Sequence, residues 1–398
     1  MQTSRWLGKP LKRKEDLRFL TGRGNFITDL SLPDMLYVAL LRSPYPHALI
    51  KSIDTKKAER LEGVVKVLTG QELKDYVKPF RHVIRVPDYY PMALDKVRYV
   101  GEPIAAVAAV NPYTARDAVD LIEVEYEPLE PVVDSEKAMQ QGAPLIHEGF
   151  ENNVAWHRQF HYGDVEEAFG KADEIVNERF SFHRYSSTPI EPYGCAAIYD
   201  PASGNITLWD QNQQVGLYRA RMAEALKMPE HKLRHITLDI GGGFGNKIGI
   251  YPYSAIVSVL SILTGRPVKW IADRREDLMS VQAADRKAIV EAAVRRDGRI
   301  LGIRVKIIEN IGAYLRHPEP QTVTRGFFTF LGCYDIQDVF IDAYCIFTNK
   351  APTVPNRGYG CHPAYFHLER MMDIVAGRLG LDKAEIRFRN FIKPEQMP

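Results

Sequence analysis

The stretch Ile240-Gly241-Gly242-Gly243-Phe244-Gly245-Asn246-Lys247 constrains this chain more than any other, because there side chains give way to bare backbone. Upstream, Ile236, Leu238 and Ile240 alternate with polar residues and predict a strand that ends at the first glycine. Downstream, residues 251–264 are apolar with serines interspersed, and Gly265 and Pro267 close them as they would a buried helix of about four turns. Consecutive glycines leave amide N–H groups unshielded and admit positive φ, so such a loop can wrap an oxyanion or an oxo group. A helix N-terminus behind it favours negative charge. This is not a Walker loop, since Asn246 stands where a glycine would precede the lysine, and its last glycine comes too early for a dinucleotide fingerprint. Taken alone, the triple glycine fits a tight packing turn equally well.

With 398 residues the chain exceeds one ordinary core, and two or three domains are expected. A hydrophobic content of 45% and a charged content of 26% belong to a globular protein. The formal net charge of +2 supplies no steering field, and no basic block is interleaved with aromatics, so nucleic acid is not an expected partner. Met1-Gln2-Thr3-Ser4-Arg5-Trp6 has no apolar signal region and no apolar run is long enough to span a bilayer, so a cytoplasmic location is expected. Cys195, Cys333, Cys345 and Cys361 lack metal-ligand spacing, which argues against an encoded iron–sulfur cluster. The pairs His231 with His235 and His362 with His367 lack the carboxylate of a zinc motif and read as structural.

Along the chain, apolar runs at residues 36–41, 50–53 and 64–68 predict short strands, and residues 112–122 predict a helix capped by Asn111. Strands dominate and helices are short, which predicts an α+β fold. The proline- and glycine-rich segments 127–131 and 140–144 place a domain boundary between them, giving domains 1–135 and 136–398. In the second, Asp164 is a helix cap, residues 213–228 form a helix that Pro229 ends, and Asp297-Gly298 joins residues 289–294 and 300–308 as a hairpin.

Seven segments now stand in register with one family: Thr21-Gly22-Arg23-Gly24, residues 42–48 (Arg-Ser-Pro-Tyr-Pro-His-Ala), Tyr99-Val100-Gly101-Glu102-Pro103, Glu191-Pro192, Gly241 to Lys247, Asn349-Lys350-Ala351-Pro352 and Arg357-Gly358-Tyr359-Gly360. The chain resembles the molybdenum-binding large subunit of the xanthine dehydrogenase and aldehyde oxidase family, in its carbon monoxide dehydrogenase-like branch. The resemblance implies an α/β hammerhead domain followed by the first molybdopterin-binding domain. It implies a molybdenum–molybdopterin cofactor, in the cytosine dinucleotide form, cradled by Gly241, Gly242, Gly243, Phe244 and Gly245. Gln213 corresponds to the family's glutamine beside the metal, Arg357 to an arginine near the cofactor, and Tyr359 to a residue that packs against substrate. None of these is a direct side-chain ligand of the metal.

Departures narrow the activity. Ile248 stands where xanthine-oxidising members carry a glutamate, and Gly358 stands where carbon monoxide dehydrogenases carry a cysteine, so neither xanthine nor carbon monoxide is the expected substrate. Arg286 receives no substrate role, and Cys361 reads as structural. The chain has about half the family's length, and the family's general-base glutamate belongs to the other half; the missing half is either a separate polypeptide or absent from a fragment. The implied activity is insertion of a water-derived oxygen into an aldehyde, heterocycle or other activated organic substrate, with electrons passed to partner subunits holding 2Fe-2S clusters and FAD. Reduction or hydration of an activated double bond is the alternative within the family, and a metal-free assembly subunit is the alternative outside it.

Overall fold

Short runs of Val, Ile, Leu and Ala between turn residues form strands throughout the chain, and among the described residues they assemble into three sheets. The computed structural model describes residues 6–80, 82, 84–249, 251–280 and 282–397, so the expectation of no signal region at residues 1–5 lies outside it. The seven-stranded sheet runs Leu233–Ile236, Asn205–Asp210, Gly194–Asp200, Val268–Ile271, Leu36–Arg42, Pro103–Ala109 and Val64–Thr69. Strands from both ends of the chain therefore share one hydrogen-bonded ladder. Leu36 pairs in parallel with Val268, and Leu36–Arg42 pairs antiparallel with Pro103–Ala109, which is buried at every residue.

A five-stranded sheet follows the order Val154–Tyr162, Asp338–Phe347, Ile300–Gly312, Arg286–Val294 and Glu174–Phe182. A small sheet of Lys96–Val97, Ala48–Asp54 and Glu123–Pro128 completes the N-terminal part. Mixed sheets with peripheral helices make this the expected α+β architecture of a hammerhead domain followed by a molybdopterin-binding domain.

Several local expectations hold. Asn111 Oδ1 accepts from the amides of Tyr113 (3.0 Å) and Thr114 (2.9 Å) at the start of helix Pro112–Val119. Asp164 accepts from Glu167 N at 3.0 Å ahead of helix Val165–Gly170. Gly298, at φ 89°, turns Arg286–Val294 back onto Ile300–Gly312. The helix behind the glycine loop is Pro252–Thr264, closed by Gly265 in the left-handed region.

Three expectations are corrected. The strand before the glycines stops at Ile236 rather than Ile240, because Asp239 leaves the sheet for the N-terminal segment. Its amide donates to Asn25 O (3.0 Å), and its carboxylate accepts from Asn25 N (2.7 Å) and from Arg18 Nη2 (2.7 Å). The helix predicted over 213–228 spans Val215–Ala225, since Asn212 Oδ1 takes the amide of Gln214 and Lys227, at φ 56°, breaks the far end. Finally, a 3₁₀ turn, Asn246–Ile248, separates the glycines from Pro252, so the long helix's dipole does not stand directly behind them.

Candidate active site

Backbone geometry explains the glycines position by position. Gly242 lies at φ 100° and Gly245 at φ 91°, and Phe244 between them is held at φ 51°. At Gly243 the constraint is space: an added Cβ would meet Gln213 Oε1 at 2.6 Å. Gln213 lies between strand Asn205–Asp210 and helix Val215–Ala225, and it is locked to the loop at two points. Its amide donates to Lys247 O (2.9 Å), and its side-chain oxygen accepts from Gly245 N (3.0 Å). An N–H can only donate, so this bond fixes the oxygen toward the loop and leaves Nε2 of this exposed residue as a donor with no partner among the described residues.

Glu191 and Lys247 brace the loop from behind. Gly241 N donates to Glu191 Oε2 at 2.6 Å, and the buried Lys247 ammonium donates to Glu191 O at 2.9 Å. Burial lowers the Lys247 pKa while the Glu191 charge opposes that fall. With Gly241 committed to Glu191, the amides of Gly242, Gly243 and Phe244 have no acceptor among the described residues. Three bare amides beside a glutamine donor form an anion cradle.

The second wall comes from the Arg357–Gly360 turn. The Arg357 guanidinium lies over the Phe244 ring, 5.0 Å from its centroid, joining the two loops by a cation–π contact. Tyr359, at φ 48°, donates from its hydroxyl to Gln321 Oε1 (3.1 Å), and burial raises its pKa. Its ring carries the Arg325 guanidinium 5.4 Å from the centroid. These groups line a cavity of about 310 Å³ that also touches Gly245, Ile248 and Asn356. Two arginines face it and no carboxylate lines it.

The structure thus gathers Gln213, Gly243, Phe244, Gly245, Arg357 and Tyr359 around one loop pair, with Gly242 supplying a free amide and Gly241 a link to Glu191. Arg286 belongs elsewhere: it is fully buried, with Nε 2.5 Å from Glu309 Oε2. Cys361 is half-buried, with its sulfur 3.4 Å from Thr329 Oγ1. Glu191, Gln321 and Arg325 are contributors that the sequence does not single out by role. Glu191 sits in a motif segment, but Arg325, within Thr324-Arg325-Gly326-Phe327, carries no local signature.

Among the described residues no group of three His, Cys, Asp or Glu side chains is placed to hold a metal ion directly. The bare amides and the exposed Gln213 side-chain amide beside them instead fit the anionic side of a pterin-held oxo-metal group.

Residues 146–391 match the molybdopterin cofactor-binding domain, and residues 21–130 match the aldehyde oxidase and xanthine dehydrogenase a/b hammerhead domain. The chain is 36% identical to the carbon monoxide dehydrogenase large chain of Afipia carboxidovorans, over 98% of this chain and 51% of that one. It is 32% identical to the nicotinate dehydrogenase large molybdopterin subunit of Eubacterium barkeri, over 96% of this chain and 89% of that subunit. The crystal structure of quinoline 2-oxidoreductase from Pseudomonas putida 86 superposes with a TM-score of 0.91 at 34% identity, covering 98% of this chain and 50% of that one. The chain spans about half the length of the first and third of these. It belongs to the molybdenum-binding large subunits of the xanthine dehydrogenase and aldehyde oxidase family, a family of oxidoreductases.

Proposed function

We propose that this chain holds the molybdenum–molybdopterin cofactor of a multi-subunit hydroxylase whose active site is completed by a second polypeptide. One observation carries the reading: Gly245 links the two halves of the site, since its amide is bonded to Gln213 beside the bare amides and it also lines the cavity that holds Tyr359 and Arg357. When bound, the cofactor supplies the metal-centred oxygen-transfer and redox chemistry; this chain's residues bind and orient. Gly242, Gly243 and Phe244 offer amides to the cofactor's anionic side, Gln213 offers its Nε2, and Arg357 clamps Phe244. Support for a second half comes from the nicotinate dehydrogenase subunit, which has nearly this chain's length, while other relatives are twice as long. The family matches break between residues 130 and 146, supporting a division at residue 135. A cytosine dinucleotide on the pterin, an iron–sulfur subunit with 2Fe-2S clusters and a FAD subunit complete the reading. Four free cysteines, two of them buried, favour a reducing cytoplasmic setting.

The substrate class follows from the cavity. Tyr359 lines it with an aromatic ring, and Arg325 and Arg357 line it with positive charge that no lining carboxylate neutralises. A planar heteroaromatic substrate bearing a carboxylate or carbonyl oxygen matches both features, and nicotinate is the probe to use. The native complex isolated through this chain should contain molybdenum, iron and a second large-subunit half, and should oxidise nicotinate. The isolated chain should not. Arg325→Ala should raise the KM for nicotinate about tenfold, the cost of one charge-assisted hydrogen bond, with a smaller change in kcat. A metal-free chain without such a partner would return the reading to an assembly subunit.

A further inference from the structure

The wall of the cavity opposite the glycine loop is built on a buried acid. Glu319 is 3% exposed and lies in the turn that precedes helix Gln321–Phe327. Its Oε2 accepts from Thr322 N at 3.1 Å, and its Oε1 accepts from the Thr322 hydroxyl. The same helix carries Gln321, whose Oε1 receives the Tyr359 hydroxyl, and Arg325, which overlies the Tyr359 ring. Thr322 O in turn accepts from the buried Arg286 Nη2 at 3.1 Å, and it abuts Gly360, where an added Cβ would come within 1.8 Å of it. Glu319 and Arg286 therefore grip the first helical turn through one residue, Thr322, directly beneath the tyrosine.

We propose that Glu319 is a positioning residue: its carboxylate caps helix Gln321–Phe327 and thereby sets Gln321 and Arg325 against Tyr359, so that its ionisation state governs the order of the substrate wall. The two Thr322 donors favour the ionised form, but burial disfavours it more, so the buried turn holds its proton more tightly than the opened, solvated segment does and ionisation loosens the turn. Burial pushes the Glu319 carboxyl up to about 7, the Glu309 charge adds to the rise and Arg286 opposes it. The other charged and titratable groups facing this cluster are Arg325 and Tyr359, the buried Cys345 thiol and His367.

Hydrogen–deuterium exchange on the full chain tests this without reference to metal or substrate. Protection of residues 321–327 should fall several-fold as the pH rises from about 4.5, the ordinary carboxyl value, through about 7. Glu319→Gln should remove that fall while leaving the five-stranded sheet's protection unchanged. If Glu319→Gln misfolds, Thr322→Val serves instead: losing the hydroxyl donor destabilises the ionised carboxylate and should move the midpoint to higher pH. An identical pH course in Glu319→Gln, or an unmoved midpoint in Thr322→Val, overturns the proposal. In the intact complex the same transition should appear in the KM for nicotinate and not in kcat. That arm rests on the function proposed above and can fail alone, whereas the exchange experiment does not depend on it.

Discussion

At the scale of single residues, the glycine loop shows how steric and hydrogen-bonding demands divide among adjacent positions. Gly242 and Gly245 answer to φ, Gly243 answers to the Gln213 side chain, and Gly241 answers to Glu191, whose Cβ lies 2.6 Å from the position of an added Cβ. Gly243→Ala adds no backbone strain, since its φ is outside the left-handed region, yet its methyl would displace the glutamine. The expected outcome is a folded subunit with an unshifted melting temperature to within a few degrees and molybdenum content reduced several-fold, read by elemental analysis. Full metal content in that variant would detach Gln213 from cofactor retention. The loop's identity was legible in the sequence because glycine is a backbone signal. The role of Arg325 was not, because it depends on a through-space contact with Tyr359 that no spacing along the chain encodes.

At the scale of elements, helix Cys361–Leu379 ties the Arg357–Gly360 turn to the sheet and carries an acid-sensitive weak point. His367 on its inner face is fully buried against Phe180, with neither ring nitrogen paired among the described residues. Burial and the Arg286 charge hold it down to about 3, from an ordinary 6.5. The unfolded chain therefore binds this proton more readily than the fold, so stability is full above about 6.5 and is lost as pH falls toward 3. His367→Leu should be worth about 2 kcal/mol more at about pH 5 than at about pH 8, measured by urea unfolding. Equal effects at both values would mean that the ring is hydrated. This helix shows where sequence reading falls short: the Tyr359-Gly360 turn marks its start, but its inner face mixes histidine and methionine with small residues. Strand Val154–Tyr162 is hidden for a different reason, since this edge strand keeps His157, Arg158, Gln159 and His161 in a run with little apolar alternation. Where patterning was clean, as at Asn111 or Asp297-Gly298, the predicted elements are observed in type and start or turn position, although the helix ends at Val119 rather than 122 and the hairpin strands extend to Arg286 and Gly312.

At the scale of the whole molecule, the two family matches, residues 21–130 and 146–391, do not correspond to two separate sheets. Strand Leu36–Arg42 lies between Val268–Ile271 and Pro103–Ala109, so residues 1–135 and 136–398 share the central ladder. Expressed separately, each piece would expose the ladder's hydrogen-bonding edge, and neither should show the cooperative thermal transition of the intact chain by circular dichroism. A sharp transition in the N-terminal piece alone would mean that its remaining strands suffice. The shared ladder also sets an order of events at the ribosome. Leu36 is made roughly 230 residues before its partner Val268, a wait of on the order of ten seconds or more at ordinary rates of synthesis. Throughout that interval the nascent N-terminal part carries an open strand edge, a template for wrong pairing that closes only when Val268–Ile271 docks against it.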